Sequence, residues 1–514
     1  MKRTLLLILA VIILAAGIGL YFFLQETSEQ QAKTKSDISV ILNVIFILTI
    51  ISLIYTIIRD NNDPTFTVAW LQILIFLPVV GFFLYIFFGI NYRKRKMFRN
   101  KASLDLDMMR QFSKIINKNR DKTTINFRIS SLANAHIIKL LYRNNLTYLT
   151  LNNSIESYID GKSTIEAIFN ELKLAQHHIH LEYFSINNDA CGMELQKILI
   201  DKANQGVEVR LIYDAVGCWK LRKSYLQPLQ ESGVQVIPFL PVFIPFLSSK
   251  LNFRNHRKIA IIDGLTGFVG GVNFGDKYLG TDKRFGYWRD SHIRLQGDSV
   301  YSLQKSFLID WDYLWDEKMD LENYFPEHQV RNNLPIQFAS SGPDSQWENI
   351  LQVYFAAITQ AKYQVLITSP YLVLNESMLT ALKTAASSGV DVRIILPQKA
   401  DHLIVFLGTR SYYQEMLDAG VKLFQYNKGF VHAKVLLVDD QFVSVGSANM
   451  DIRSFKQNFE INAIVYDKDY SAEMKEQFER DISDSIRVNS DEFAKRNFIT
   501  KSGESISRLV SPLL

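Results

Sequence analysis

The sequence predicts an α/β protein built from two related halves behind an apolar N-terminal region. Three observations carry that expectation. The pattern His-x-Lys, four residues, Asp occurs twice, as His256, Lys258 and Asp263 and as His432, Lys434 and Asp439. A small-residue stretch follows each copy at the same distance, Gly270, Gly271 and Asn273 first, then Gly446, Ser447 and Asn449, so every pair lies 176 residues apart. Apolar, β-branched segments also recur: residues 206–214 (GVEVRLIYD) resemble 389–397 (GVDVRIILP), and 232–239 resemble 419–426. Duplication on this scale marks a repeated structural unit. Strands alternating with amphipathic stretches, such as 192–203 and 377–388, predict sheets sandwiched by helices.

Taken in chain order, residues 1–101 read as a membrane anchor. Residues 5–24, 38–58 and 66–90 carry no charge, and a helix needs about 20 apolar residues to cross a bilayer. Arg93, Lys94, Arg95, Lys96, Arg99 and Lys101 follow the third stretch with no acid among them, which argues for a cytoplasmic catalytic domain. Lys2 and Arg3 argue the same for the N-terminus, and an odd number of spans cannot satisfy both. The first stretch also has the charged start of a signal peptide, but residues 20–24 (LYFFL) offer no small-residue cleavage site. The basic cluster would lie against anionic headgroups, each charge contributing on the order of 1 kcal/mol near the surface.

Residues 102–151 have a mixed, mostly helical pattern and read as a linker and lead-in. The remainder is too long for one small core and suits two domains, assigned to 152–330 and 331–490. The halves differ in one respect. From Gly233 to His256 is 23 residues, whereas Gly420 to His432 is 12. The extra residues lie in 239–249 (FLPVFIPFLSS), an apolar run with two prolines. It reads either as a loop that dips into the membrane or lines an acyl passage, or as a buried loop packed on the second half. The tail, 491–514, combines Lys495, Arg496 and Lys501 with an apolar end and reads as an amphipathic segment near the membrane or a simple terminal helix.

The chemistry follows from the duplicated motif. Around each His the apolar residues predict a strand, and alternation sets His256 beside Lys258 and His432 beside Lys434. The motif Asp has the opposite parity and ends the strand at a turn, so it is expected to anchor its own half. A pocket holding two imidazoles and two ammonium groups suits a phosphodiester. Lysines and the amides of Asn273 and Asn449 can neutralise non-bridging oxygens. One His can attack phosphorus while the other protonates the leaving alkoxide and then deprotonates the incoming alcohol or water. Each His then needs an acceptor on its other ring nitrogen. Asp290 and Glu460, 27 and 21 residues after their motif Asp, are the candidates, with surface salt-bridge carboxylates as the alternative. No metal or other cofactor is required.

Several signals carry less. His177, His178 and His180 (HHIH) invite a zinc site, but no second ligand cluster accompanies them and the stretch reads as a strand. His180 and Glu182 share a strand face and could border the pocket; His402 could stand at its rim or be structural. Cys191 and Cys218 provide no disulfide framework. The net charge of +5 is accounted for by the basic cluster, which leaves no broad nucleic-acid footprint.

These residues resemble the phospholipase D superfamily, whose signature is the duplicated HxKxxxxD motif, and within it the bacterial cardiolipin synthases. The narrower resemblance rests on NHRKIAIIDG, GGVNFGDKYLG, YWRDSHIRLQGD, ASSGPDSQWE, HAKVLLVDD with VGSANMDIRSF, and the terminal LVSPLL, and covers roughly residues 40–514. It implies two tandem phospholipase D-like α/β sandwich domains related by pseudo-two-fold symmetry, with the active site between them. It further implies transfer of a phosphatidyl group from one phosphatidylglycerol to another in the bacterial plasma membrane, giving cardiolipin and glycerol. By that resemblance His256 and His432 are nucleophile and acid/base, while Lys258, Lys434, Asn273 and Asn449 hold phosphate beside Gly271 and Ser447. The additional apolar segment at the N-terminus departs from the family's usual two. A hydrolase, a transferase using another alcohol, a nuclease and an inactive lipid-binding scaffold are the competing readings; two intact motifs argue against the last.

Overall fold

The computed structural model describes residues 29–59, 64–85, 133–242, 252–315 and 319–510, together with Phe98, Lys101, Met108 and Phe112. The first apolar stretch, 5–24, lies outside the described residues. The chain divides into an N-terminal unit ending at Arg93 and a large unit from Lys94 onward.

In the N-terminal unit, helix α1 (Glu29–Arg59) contains the second apolar stretch. The third stretch is not one helix. It breaks at Leu77 into α2 (Pro64–Phe76) and α3 (Pro78–Leu84). Pro78 supplies no N–H and disfavours helical geometry at the residue before it, and Leu77 accordingly has φ −133°. Ile50, Leu53, Ile57, Leu74 and Phe82 pack together, while Leu48, Ile51, Ile58, Ile75 and Phe76 remain exposed. Among the described residues no helix is long and apolar enough to cross a membrane.

In the large unit, α4 (Ala135–Asn145) precedes the first half. That half runs β1 (Asn153–Asp160), α5 (Gly161–Leu174), β2 (His178–Tyr183), α6 (Ala190–Asn204), β3 (Glu208–Asp214), α7 (Lys223–Glu231), β4 (Gln235–Phe239), β5 (Lys258–Ile262), β6 (Thr266–Gly270), β7 (Tyr287–Gly297) and α8 (Val300–Leu314). The second half begins with β8 (Ile336–Ser341), α9 (Asn349–Thr359), β9 (Gln364–Thr368), β10 (Leu372–Val373), α10 (Glu376–Ser387), β11 (Asp391–Pro397), α11 (Leu403–Arg410), α12 (Tyr413–Asp418) and β12 (Lys422–Tyr426). It continues with β13 (Gly429–Val431), β14 (Val435–Val438), β15 (Phe442–Gly446), β16 (Met450–Asp451), α13 (Ile452–Lys456), β17 (Glu460–Val465) and α14 (Lys468–Ser483). The chain closes with β18 (Ser485–Arg487), α15 (Ser490–Ala494) and α16 (Phe498–Val510).

Each half forms a mixed sheet. The strand orders are β1-β7-β6-β5-β2-β3-β4 and β18-β12-β11-β9-β14-β15-β17-β8. The motif strands β5 and β14 are central and antiparallel to β2 and β9 respectively. Burial on both faces explains their unbroken apolar sequences. One face of each sheet packs on its own helices. The other joins a shared core, in which Ile259, Ile261, Val269 and Ile293 of the first sheet cluster with Val443, Val445, Ile461 and Ala463 of the second. Each isoleucine or valine so removed from water contributes roughly 1.5–3 kcal/mol, so the two halves are held as one body.

Two features tie the halves further. Strand β13 of the second half pairs with β7 of the first, Gly429–Val431 against Tyr287–Arg289, and Asn255 bridges to Phe459. The lead-in is also more than a linker. Ile137, Ile138 and Leu141 of α4 lie in the core of the second half, and Thr150 pairs with Ile336.

Candidate active site

The two motifs meet at the seam. Regular strand begins at Lys258 in one half and at Val435 in the other, so both histidines stand just before their strands instead of within them. The cause is pairing across the halves. The His256 N–H donates to Phe459 O at 2.9 Å, and the His432 N–H donates to Arg289 O at 2.7 Å. Each lysine returns to its own histidine: Lys258 Nζ donates to His256 O at 2.5 Å, and Lys434 Nζ lies 2.9 Å from His432 Nδ1.

The motif aspartates sit at the far ends of β5 and β14, away from the histidines. Asp263 accepts the backbone N–H groups of Gln176, His177 and His178 at 2.9, 2.7 and 3.0 Å. Asp439 accepts those of Lys362, Tyr363 and Gln364 at 3.0, 2.8 and 3.1 Å. Both adopt left-handed backbone, φ 55° and 50°. These contacts make each Asp a clasp between its motif strand and the turn before the neighbouring strand.

Carboxylates reach each histidine, and they come from the opposite half. His256 Nδ1 lies 3.0 Å from Glu460, and His432 Nδ1 lies 2.7 Å from Asp290 Oδ2. Glu460 is held by Ser447 Oγ, which donates to it at 2.6 Å, and by Asn458 at 3.3 Å. Asp290 accepts from the Ser291 N–H at 2.8 Å and Trp288 Nε1 at 3.2 Å. The Gly271–Ser447 difference between the copies follows. A Cβ at Gly271 would lie 2.0 Å from Asp290 Oδ1, so the first half has no room for a serine there.

The electrostatics are those of buried bases paired with buried carboxylates. Burial lowers the pKa of His256, Glu460 opposes that, and Lys258 adds to it. Burial together with Lys434 pulls His432 down to about 4. Burial likewise lowers Lys258 to about 7 and Lys434 to about 8. Burial alone would raise Asp290 and Glu460, yet Lys434 and His432 outweigh it for the first, and His256 and Lys258 for the second. Both carboxylates are therefore ionised. Asn273 accepts from the Ser185 N–H at 3.1 Å and donates to Tyr278 at 3.2 Å. Among the described residues Asn449 Oδ1 is buried without a partner.

Other residues surround the site without having been assigned a role from the sequence. Asp214 accepts the Asn255 N–H at 2.9 Å and pairs with Arg254 at 3.2 Å, which fixes the approach to His256. The rings of Phe184 and Trp288 lie 4.9 and 5.1 Å from those of His256 and His432. Arg289, next to Asp290, is clamped by Asp481 at 2.7 Å. Tyr371 donates to Asp401, while Arg284 of the first half donates to Ala400 O and Asp401 O at 2.9 and 3.1 Å.

The expectation that β2 borders the pocket is corrected. His180 does not border the pocket; it is buried, bonded to Gln304 at 2.8 Å and stacked on Phe307. Glu182 lies beneath the site, where it accepts from Asn255 Nδ2 at 2.5 Å. His402 is exposed and precedes α11. Cys191 and Cys218 are both buried thiols. Among the described residues no three His, Cys, Asp or Glu side chains converge as a metal site. Phe239 and Leu240 belong to the core, whereas 243–251, with most of the proline-containing loop, lies outside the described residues.

Comparison with known proteins identifies the family. The family model described as cardiolipin synthase, PLD-like domain, matches residues 168–308 and 354–482, which contain both motifs. A curated cardiolipin synthase from Geobacillus sp. (strain WCH70) is 42% identical over 98% of this chain and 99% of its own length. The chain belongs to the cardiolipin synthase family. It is accordingly an enzyme, a phosphatidyltransferase. The major cardiolipin synthase of Bacillus subtilis (strain 168) is 39% identical over 93% of this chain and 99% of its own length. A phospholipase D–nuclease N-terminal model matches residues 41–89. The crystal structure of a phosphatidylserine synthase from Haemophilus influenzae, 14% identical, covers 74% of this chain and 100% of its own with a TM-score of 0.56, a likeness of fold.

Proposed function

We propose that the chain transfers a phosphatidyl group from one phosphatidylglycerol to the hydroxyl of a second, releasing glycerol and forming cardiolipin through a covalent phosphatidyl-histidine. The observation that carries this reading is the crossed pair of His–carboxylate contacts. With Nδ1 of each histidine committed to a carboxylate, Nε2 is the nitrogen left for substrate.

His256 Nε2 attacks phosphorus as the bond to the departing glycerol oxygen breaks, and His432 as imidazolium gives that oxygen its proton. His432 then takes the proton of the incoming hydroxyl, whose oxygen displaces His256 from phosphorus. Lys258, Lys434, Asn273 and Asn449 bind the non-bridging oxygens. The anionic phosphate restores the charge that burial removes from the two lysines, and favours the imidazolium of His432. Asp290 and Glu460 fix the tautomers, as the buried carboxylate does in a serine protease triad.

Residues 1–101 are proposed as a multi-pass anchor in the bacterial plasma membrane, with the large unit cytoplasmic. The exposed apolar surface of α1–α3 and the basic residues 93–101 support it. The test is incubation of the detergent-purified chain with phosphatidylglycerol as sole lipid and mass spectrometry of the products. Cardiolipin plus glycerol supports transfer; phosphatidic acid plus glycerol without cardiolipin makes water the acceptor and overturns it.

A further inference from the structure

Helix α16 at the C-terminus is amphipathic in the reverse sense. Its inward face is polar: Glu504 is 2% exposed and Ser507 5%. Glu504 accepts from Arg410 Nε of α11 and from Arg496 Nε, each at 3.0 Å. The outward face is apolar, with Phe498 83% exposed, Ile499 80%, Ile506 62% and Leu509 80%. At 3.6 residues per turn these four side chains fall within an arc of about 100°. Neighbouring α11 extends the surface with Leu403, 67% exposed, and Ile404, 49%.

A helix in water turns its apolar stripe to the core. Here the ion pairs hold the stripe outward, and an apolar patch of this kind marks a contact. Its surroundings favour one occupant. Lys495 and Lys501 are exposed beside the stripe, with Arg508 paired to Glu415; Asp491 and Glu492, also exposed, lie at the preceding short helix. Apolar residues flanked by lysines are the composition of a helix that lies in a headgroup layer. The patch begins at Leu403, two residues after a carboxylate that influences the active site. Asp401, just before α11, receives the Tyr371 hydroxyl and lies near enough to Lys434 to favour its charged form.

From these observations we infer that α16, with Leu403 and Ile404 of α11, is an interfacial docking surface for an anionic lipid bilayer. It sets the mouth of the catalytic seam against the membrane that holds the substrate, as a contact separate from the N-terminal anchor. The inference rests on the proposed lipid-to-lipid transfer only for its purpose; the contact is testable by itself.

The test places an environment-sensitive fluorophore on Ile506→Cys in the full chain; the native Cys191 and Cys218 are buried. The labelled protein is reconstituted into phosphatidylglycerol–phosphatidylcholine vesicles with acyl chains brominated near the headgroup. A blue-shifted emission quenched by the brominated lipid is expected. Emission typical of water, or a shielded probe that the lipid does not quench, as a second copy on this face would give, overturns the inference. A second arm compares wild type with F498S/I499S/I506S/L509S. Turnover on vesicles should fall about tenfold, with turnover on dispersed short-chain phosphatidylglycerol within about twofold; equal loss on both also overturns it. A quenched probe on an enzyme that forms no cardiolipin would instead refute the transfer reading and leave the docking surface standing.

Discussion

Replacing Glu460 with Gln tests the cross-half support of His256 directly. Glu460 is buried, 3.0 Å from His256 Nδ1, and is held by Ser447 and Asn458. Glutamine keeps the volume and an acceptor oxygen but loses the charge. A charge-assisted hydrogen bond contributes about 1.5–3 kcal/mol and a neutral one about 0.5–1.5. The loss is then about 1–2 kcal/mol, or roughly 5–30-fold in rate, and larger if the amide turns its NH2 to the ring and forces the wrong tautomer. Burial already lowers the His256 pKa, and Glu460 is the main influence raising it. Removing the carboxylate withdraws stabilisation from the imidazolium, so that pKa falls further. If neutral His256 is the nucleophile, the acidic limb of the pH–rate profile moves to lower pH while kcat drops. The assay is cardiolipin formation from phosphatidylglycerol in mixed micelles across pH, with KM expected within about threefold of wild type. A variant within twofold of wild-type kcat, or an acidic limb displaced upward, would refute the support role.

Four further outcomes are expected. His256→Ala and His432→Ala should each cut turnover by several orders of magnitude, because the two act as one unit; near-wild-type activity in either would sink the paired mechanism. Gly271→Ala pushes a methyl to within 2.0 Å of Asp290 Oδ1, so it should destabilise by about 1–3 kcal/mol and lower activity, read as a lower Tm and kcat. Asp263→Ala strips an acceptor from three backbone N–H groups; a loss of about 2–4 kcal/mol in urea unfolding is expected, and stability equal to wild type would contradict the clasp. Burial holds Lys258 and Lys434 at about 7 and 8, below their usual value, so at pH 9 they are mostly neutral and a bound anion raises them. Inorganic phosphate binding at pH 9 should take up protons, measured by calorimetry in buffers of differing ionisation enthalpy; proton release would reverse the argument.

The sequence carried the duplication and the chemistry further than it carried the geometry. The two HxKxxxxD motifs and the β-branched runs of β3 and β11 were legible because period and composition are local properties. The break at Leu77 follows from Pro78 and could have been read in advance by the same rule. The positions of the histidines could not, since residues 255–256 and 429–432 take their backbone partners from the other half. For the same reason spacing brought forward Asp290 and Glu460 but not which histidine each one meets. His180 shares a strand face with Glu182, yet the face in question is filled by Gln304 and Phe307, whose approach no pattern along β2 encodes. The lead-in read as a linker because the partner of α4 lies some two hundred residues further on, at Gln337 and its neighbours.

The central claim is that phosphorus passes through a histidine at the seam, and its stereochemistry reports this most directly. Phosphatidylglycerol made chiral at phosphorus with sulfur would be converted to the cardiolipin analogue and its configuration determined. Two successive displacements predict overall retention. Inversion would mean that the acceptor hydroxyl attacks the donor directly, and would contradict the account.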